Sequence, residues 1–139
     1  MAAFVLDGKF LTEVQNRQRK GLSAAGNQYL KLMAETLSNS PARHGRKYVV
    51  TKGGRIHVAS APGEPPALLT GDLRRRRASR LGTDNGTQDL RMEFGSSVPY
   101  ARRLELGGGA IEPRPAWGVT MERSFPVLMQ VFTETFRRG

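Results

Sequence analysis

Helix-period apolar residues at the two ends of this sequence, with β-branched, glycine-punctuated runs between them, predict an α+β fold. Its parts are a small antiparallel sheet, a long N-terminal helix, a short helix and a C-terminal helix. At the N-terminal end Leu11, Val14, Leu22, Ala25, Tyr29, Leu32 and Thr36 recur at helical steps, with Gln18 in the one polar slot. At the other end Trp117, Met121, Phe125, Leu128, Phe132 and Phe136 do the same. The chain has 139 residues, which makes residues 1–139 a single domain long enough to bury roughly two thirds of the surface its unfolded state exposes.

The first periodic segment predicts an amphipathic helix over residues 10–37, about 40 Å long, whose stripe serves core packing. Gly21 and Gly26 each cost about 1 kcal/mol relative to alanine in a helix, so Gly21 admits a break or bend. Ser38, Asn39, Ser40 and Pro41 end it. KYVVTKGGRIHVAS follows, two β-branched runs (Tyr48 to Thr51 and Arg55 to Ala59) around Lys52-Gly53-Gly54. Glycines there supply the positive φ of a tight turn, so this is a hairpin. Pro62, Pro65 and Pro66 then forbid helix and central strand alike and make residues 60–68 a stiff, extended loop. Thr70 is a candidate helix N-cap with Asp72 in the first turn. Residues 73–81 continue as a helical turn or a strand. Leu90, Met92 and Phe94 alternate as a half-buried strand over residues 89–96, joined to the preceding segment by a turn at Asn85-Gly86. Pro99 near the start and glycines at the end frame a short helix over residues 99–106. Pro126 predicts a kink or split in the C-terminal helix.

The net charge is +10 and its distribution is uneven. Lys and Arg against Asp and Glu number five to three over residues 1–40, ten to two over residues 41–81 and seven to seven over residues 82–139. A basic block so concentrated points to a polyanionic or acidic partner, since attraction to phosphates requires charge clustered within a screening length of about 10 Å; a solvated basic surface is the plainer alternative. There is no cysteine, which removes disulfides and thiolate metal sites. No window approaches the roughly 18 apolar residues of a membrane span, and the expectation is a soluble product made inside the cell, without membrane contact.

Candidate chemistry is sparse. His44 and His57 are the only imidazoles. Neither paired carboxylates nor metal-ligand spacings appear, and Gly107-Gly108-Gly109 lacks the Lys-Ser/Thr that follows in a phosphate loop. His57 in mid-strand reads as structural. The expectation is a protein without cofactor or metal that is not an enzyme.

Three motifs in order carry a resemblance. SAPGEPPALLTGDLRRR, VPYARRLELGGG and EPRPAW together resemble the small neck and tail-completion proteins of tailed bacteriophages, which join the head to the tail. Those proteins show a long N-terminal helix, a PGEPPA-x-x-TG-x-L signature, a YA-x-x-x-E-x-G segment, a Pro-Arg-Pro step and a C-terminal helix, and the match extends over residues 10–138. Pro62, Gly63, Glu64, Pro65, Pro66 and Ala67 match the loop, and Thr70, Gly71 and Leu73 the turn after it. Tyr100, Ala101, Glu105 and Gly107 match the short helix and its end, Arg114 and Pro115 the approach to the last helix. This chain departs from the pattern where TG-x-L runs into four arginines and where Pro126 falls inside the closing helix.

The resemblance implies helices flanking a small antiparallel sheet, and a structural ring subunit of tail-terminator or completion type, usually in six copies. Its partners would be further copies of itself, the adjacent connector or adaptor and the tail-tube proteins. Its place would be the virion neck, with the bacterial host cytoplasm during assembly. Pro62, Gly63, Glu64, Pro65, Pro66, Thr70, Gly71, Tyr100, Glu105, Arg114 and Pro115 become candidate subunit or ring contacts. The proline-stiffened loop is expected at such a contact rather than folded onto its own core. Glu64 could pair with a basic neighbour or remain an exposed carboxylate.

Arg74, Arg75, Arg76 and Arg77 cannot share one face, because a strand alternates them and a helix fans four consecutive residues over about 300°. Any inward member is expected to meet a carboxylate, with Glu93, Glu105 and Glu122 of a neighbouring subunit as candidates; the others face water, acidic groups or genomic DNA in a channel. A second function class is a stand-alone basic nucleic-acid-binding module using these arginines on phosphates and Tyr48, Tyr100 or Trp117 for stacking. Sparse aromatics, 7% of residues, and the lack of a nucleic-acid-binding signature speak against it.

Overall fold

The computed structural model of the chain describes residues 7–38, 44–49, 54, 56–66, 71–83 and 89–139. In chain order its elements are α1 (Gly8–Ser38), β1 (Lys47–Val49), β2 (Ile56–Val58), α2 (Asp72–Arg75), β3 (Arg77–Thr83), β4 (Leu90–Ser96), α3 (Ala101–Leu106) and α4 (Trp117–Arg138). The fold is α+β. Its strands form two separate antiparallel pairs, β1–β2 and β3–β4.

Asp7 starts α1 as its N-cap, its Oδ1 accepting the Phe10 N–H at 2.7 Å. The helix then runs unbroken from Gly8 to Ser38, so the break or bend admitted at Gly21 does not occur. Both glycines stand where neighbours come too close for a side chain. A Cβ on Gly21 would lie 2.7 Å from the Phe132 ring, and one on Gly26 would lie 2.9 Å from Met92 Cε. The propensity they forfeit is offset by the approach of α4 and β4.

α4 lies antiparallel on α1. Thr36 Oγ1 is 3.1 Å from Thr120 Oγ1, while Lys20 Nζ, farther back along α1, donates to the Gly139 carbonyl at 3.0 Å. The buried core is Tyr29, Met33, Leu37, Ala116 and Leu128, with Ala25, Leu73, Phe94, Trp117 and Met121 packed against it. The buried line of α1 thus runs through Met33 and Leu37 rather than Leu32 and Thr36, and Leu11 is exposed. The physical reason is that α1 has two partners, the β3–β4 hairpin and α4, so its buried arc is centred between them. Tyr29 is the hub, its ring centroid 4.3 Å from that of Phe94 and 6.1 Å from that of Trp117. Its hydroxyl donates to the Trp117 carbonyl at 2.7 Å.

Pro126 does not split α4, which is one helix with the proline inside it. Pro126 and Glu122, the residue whose carbonyl loses its amide partner, both lie on the exposed side, where water can take the missing bond. Phe125 is exposed as well, because the buried line of α4 passes through Thr120, Ser124 and Leu128.

In the first hairpin Tyr48 pairs with His57 and Val49 with Ile56; Gly54 has the expected positive φ, 74°, and the remaining turn residues, 50–53 and 55, lie outside the described residues. In the second, Ser79 pairs with Phe94 and Leu81 with Met92 on the face toward α1. The Asn85-Gly86 turn falls within residues 84–88, outside the described residues. The two readings left open for residues 73–81 both occur, a turn of helix and then a strand.

Candidate interface

The three motifs meet at the N-terminus of α4. That helix begins after Ala116, whose methyl side chain caps nothing, so the first amides of the helix need an acceptor from elsewhere. Glu105 of α3 supplies it. Its Oε2 accepts the N–H groups of Ala116 at 2.8 Å and Trp117 at 3.1 Å, and its Oε1 accepts that of Gly118 at 2.9 Å. The carboxylate also places negative charge at the positive end of the helix dipole. Burial, and secondarily the Glu105 charge, push the Tyr29 hydroxyl well above the ordinary tyrosine range.

The Pro-Arg-Pro step is held from both sides. Arg114 donates its backbone N–H to the Leu104 carbonyl at 2.6 Å and its Nε to the Ser60 carbonyl at 3.1 Å. The Gly63 N–H closes the contact on the Pro113 carbonyl at 2.9 Å. Gly107 ends α3 with φ 75°, and a Cβ there would come within 2.9 Å of Pro113 Cδ. A glycine is therefore required twice at that position, for conformation and for space.

Within the PGEPPA loop, Glu64 bonds its own turn. Oε2 accepts the N–H of Ala61 at 2.8 Å and that of His44 at 3.2 Å, and Oε1 meets His44 Nδ1 at 2.5 Å. The Ala61 amide first, and the His44 ring second, pull the Glu64 carboxyl down to about 2. The loop does not stand off its own core as its prolines suggest. In the structure Pro66 is buried and Pro65 half-buried, while Pro62 and Gly63 at the tip stay exposed. The reason is that its backbone finds partners in residues 113 and 114 of the same chain.

Of the other candidate contacts, Tyr100 is 46% exposed and Pro115 half-buried. Gly71, with φ 81°, holds the N-cap position of α2, and Thr70, expected there, lies outside the described residues, as does Ala67. Leu106, 66% exposed, and Ile111, 37% exposed, bracket the glycine turn between α3 and Pro113. Sequence reasoning did not single them out; the exposed apolar ends of LELGGGAI were the available signal. Gly108 and Ile111 exchange backbone hydrogen bonds at 3.0 and 3.1 Å, which closes the turn that carries them.

The arginines divide among themselves. Arg75 pairs with Asp72 at 2.8 Å, and both are solvent-accessible. Arg77 turns inward, its Nε donating to the Leu30 carbonyl of α1 at 2.9 Å and its Nη1 to the Arg74 carbonyl. The expectation that an inward arginine must meet a carboxylate is thereby corrected. Helix carbonyls, with their second lone pairs and the partial negative charge at the end of α2, satisfy this guanidinium. Arg74 and Arg76 are exposed and have no ion pair among the described residues. Of the acids considered as partners in a neighbouring subunit, Glu105 is engaged by α4 and Glu93 by Arg80 and Arg91 of its own chain, while Glu122 is exposed.

Among the described residues no group of three His, Cys, Asp or Glu side chains could hold a metal ion, and no helix is long and apolar enough to cross a membrane. Compared with family models, curated proteins and solved structures, the chain gives no match.

Proposed function

We propose that this chain is a structural ring subunit of the neck of a tailed bacteriophage, of tail-terminator or completion type, joining the DNA-filled head to the tail. The observation that carries the reading is the convergence of the three motifs. The PGEPPA loop, α3 and the Pro-Arg-Pro step are pinned to one another through Glu105, Arg114 and the Gly63–Pro113 hydrogen bond. They leave a rim of Pro62, Gly63, Leu106 and Ile111, with Tyr100 at the start of α3. A rim whose backbone is already fixed loses little conformational freedom on docking. The polar contacts therefore build the surface from within, and its exposed tips meet the neighbouring subunit or ring.

Arg74 and Arg76 extend the reading, since they are exposed with no carboxylate partner among the described residues and are available to an acidic neighbour or to DNA in the channel. A stand-alone nucleic-acid module is less well supported, because Trp117, one of its stacking candidates, packs against Tyr29. The test is electron microscopy of phage particles made without this chain. Filled heads and unattached tails are the expected result; joined, intact virions would refute the proposal.

A further inference from the structure

The outward face of the β3–β4 hairpin carries a pattern that one hairpin does not use up. β3 presents Ala78, Arg80 and Gly82 outward, directly opposite Gly95, Glu93 and Arg91 of β4. Among the described residues the sheet has two strands, and each seven-residue strand has a strand partner on one side and an open edge on the other. An open edge of that length is a template for further pairing.

We infer that β3 of one copy of this chain pairs antiparallel with β4 of a second copy, in the register of the intrachain hairpin. The inference rests on the ring reading and names how its subunits join. Three rows of side chains argue for this occupant and this register. Along the central row Glu93 and Arg80 alternate across every strand boundary, within and between copies, so opposite charges face one another throughout. Within one copy Arg80 Nη2 already lies 2.5 Å from Glu93 Oε2, and Arg91 Nη2 lies 2.8 Å from Oε1. Those arginines, Arg80 first, hold the Glu93 carboxyl below the usual range. In the second row each Arg91 faces a Gly82 on both sides, which leaves room for it and keeps arginines from meeting. In the third, Ala78 faces Gly95, and neither obstructs the approach of a second backbone. Slipping the register by two residues would set Arg80 opposite Arg91 or Gly95, losing the alternation. Joining β3 to β4 is a head-to-tail contact, the kind that closes into a ring when the rotation permits.

The chain contains no cysteine, so single cysteines report the contact cleanly. Ala78 is exposed, and a Cβ on Gly95 would meet nothing within 4 Å, so Ala78→Cys and Gly95→Cys are both accommodated. Directly opposite residues have Cα atoms about 4.5–5.5 Å apart, within disulfide range, whereas like residues of adjacent copies lie two strand spacings apart, about 9.5 Å, and out of range. Mild oxidation of an equimolar mixture of the two variants should give a covalent dimer that neither variant gives alone, with circular dichroism matching the parent. Dimers formed equally by either variant alone would overturn the pairing in favour of like-edge contact. Oligomers seen by light scattering without a mixed cross-link would overturn it while leaving the ring reading intact. A chain that stays monomeric and uncross-linked at high concentration would overturn the pairing, and the ring reading would then stand or fall on the joining assay alone.

Discussion

Replacing Glu105 by alanine removes the carboxylate that caps α4, and the size of the effect follows from what each amide does next. The Ala116 N–H belongs to a buried residue, so water does not readily replace the carboxylate and most of the desolvation penalty of that donor is felt. Trp117 is half-buried and Gly118 exposed, and water satisfies the last at little cost. Losing a cap costs about 1–2 kcal/mol, and leaving a buried amide unsatisfied about 1–3 kcal/mol; with overlap between the two, Glu105→Ala should destabilise the fold by about 2–3 kcal/mol. For a chain of this length that lowers the melting temperature by roughly 6–12 °C. Glu105→Gln, which keeps one acceptor oxygen and loses the charge, should fall between. Thermal unfolding followed by circular dichroism at neutral pH measures all three proteins. A Glu105→Ala protein within about 0.5 kcal/mol of the parent, the ordinary range of a surface substitution, would refute the assignment of Glu105 as the cap.

Gly21→Ala gains about 1 kcal/mol of helix propensity but sets a methyl group against the Phe132 ring and near its carbonyl, 3.2 Å away; overpacking of about 1–3 kcal/mol should win, and a higher melting temperature would contradict the close approach. The Glu64 carboxyl is lowered from 4.5 to about 2, so its contribution is present above 4.5 and lost as pH falls through that window toward about 2. The melting-temperature gap between parent and Glu64→Gln should therefore be widest near neutrality and close on acidification; a gap that does not change with pH would count against the Ala61 and His44 contacts. Arg77→Ala should cost about 1.5–3 kcal/mol as a charged donor to two carbonyls is lost, whereas Arg74→Ala and Arg76→Ala should leave stability unchanged and weaken salt-sensitive retention on a polyanion column. Equal stability loss at all three positions would refute the division of the run.

Elements with strong local signals were legible in the sequence. The long helix, both hairpins, the short helix and the C-terminal helix follow from periodicity, glycine turns and the proline–glycine asymmetry around residues 99–107. What could not be read was anything set by a partner distant along the chain. Gly21 and Gly26 look like weak points because the penalty is local and visible, while the Phe132 and Met92 contacts that favour glycine are tertiary. Thr120 and Ser124 look like surface positions, yet they lie buried where α4 comes close to α1, with Ser124 Oγ bonding the Thr120 carbonyl at 2.5 Å. The candidate site behaved likewise. The motifs marked Glu105 and Arg114 as candidates, and both bond within the chain; only their spatial meeting separates them from Pro62, Gly63, Leu106 and Ile111, which stay exposed.

The proposed place of this chain is the neck of the virion, and labelling intact particles probes that place. Intact phage particles, decorated with a gold-tagged antibody against this chain and viewed by electron microscopy, should carry label at the junction between head and tail and nowhere else. Label spread over the capsid or along the tail, or purified virions that contain none of the chain, would contradict it.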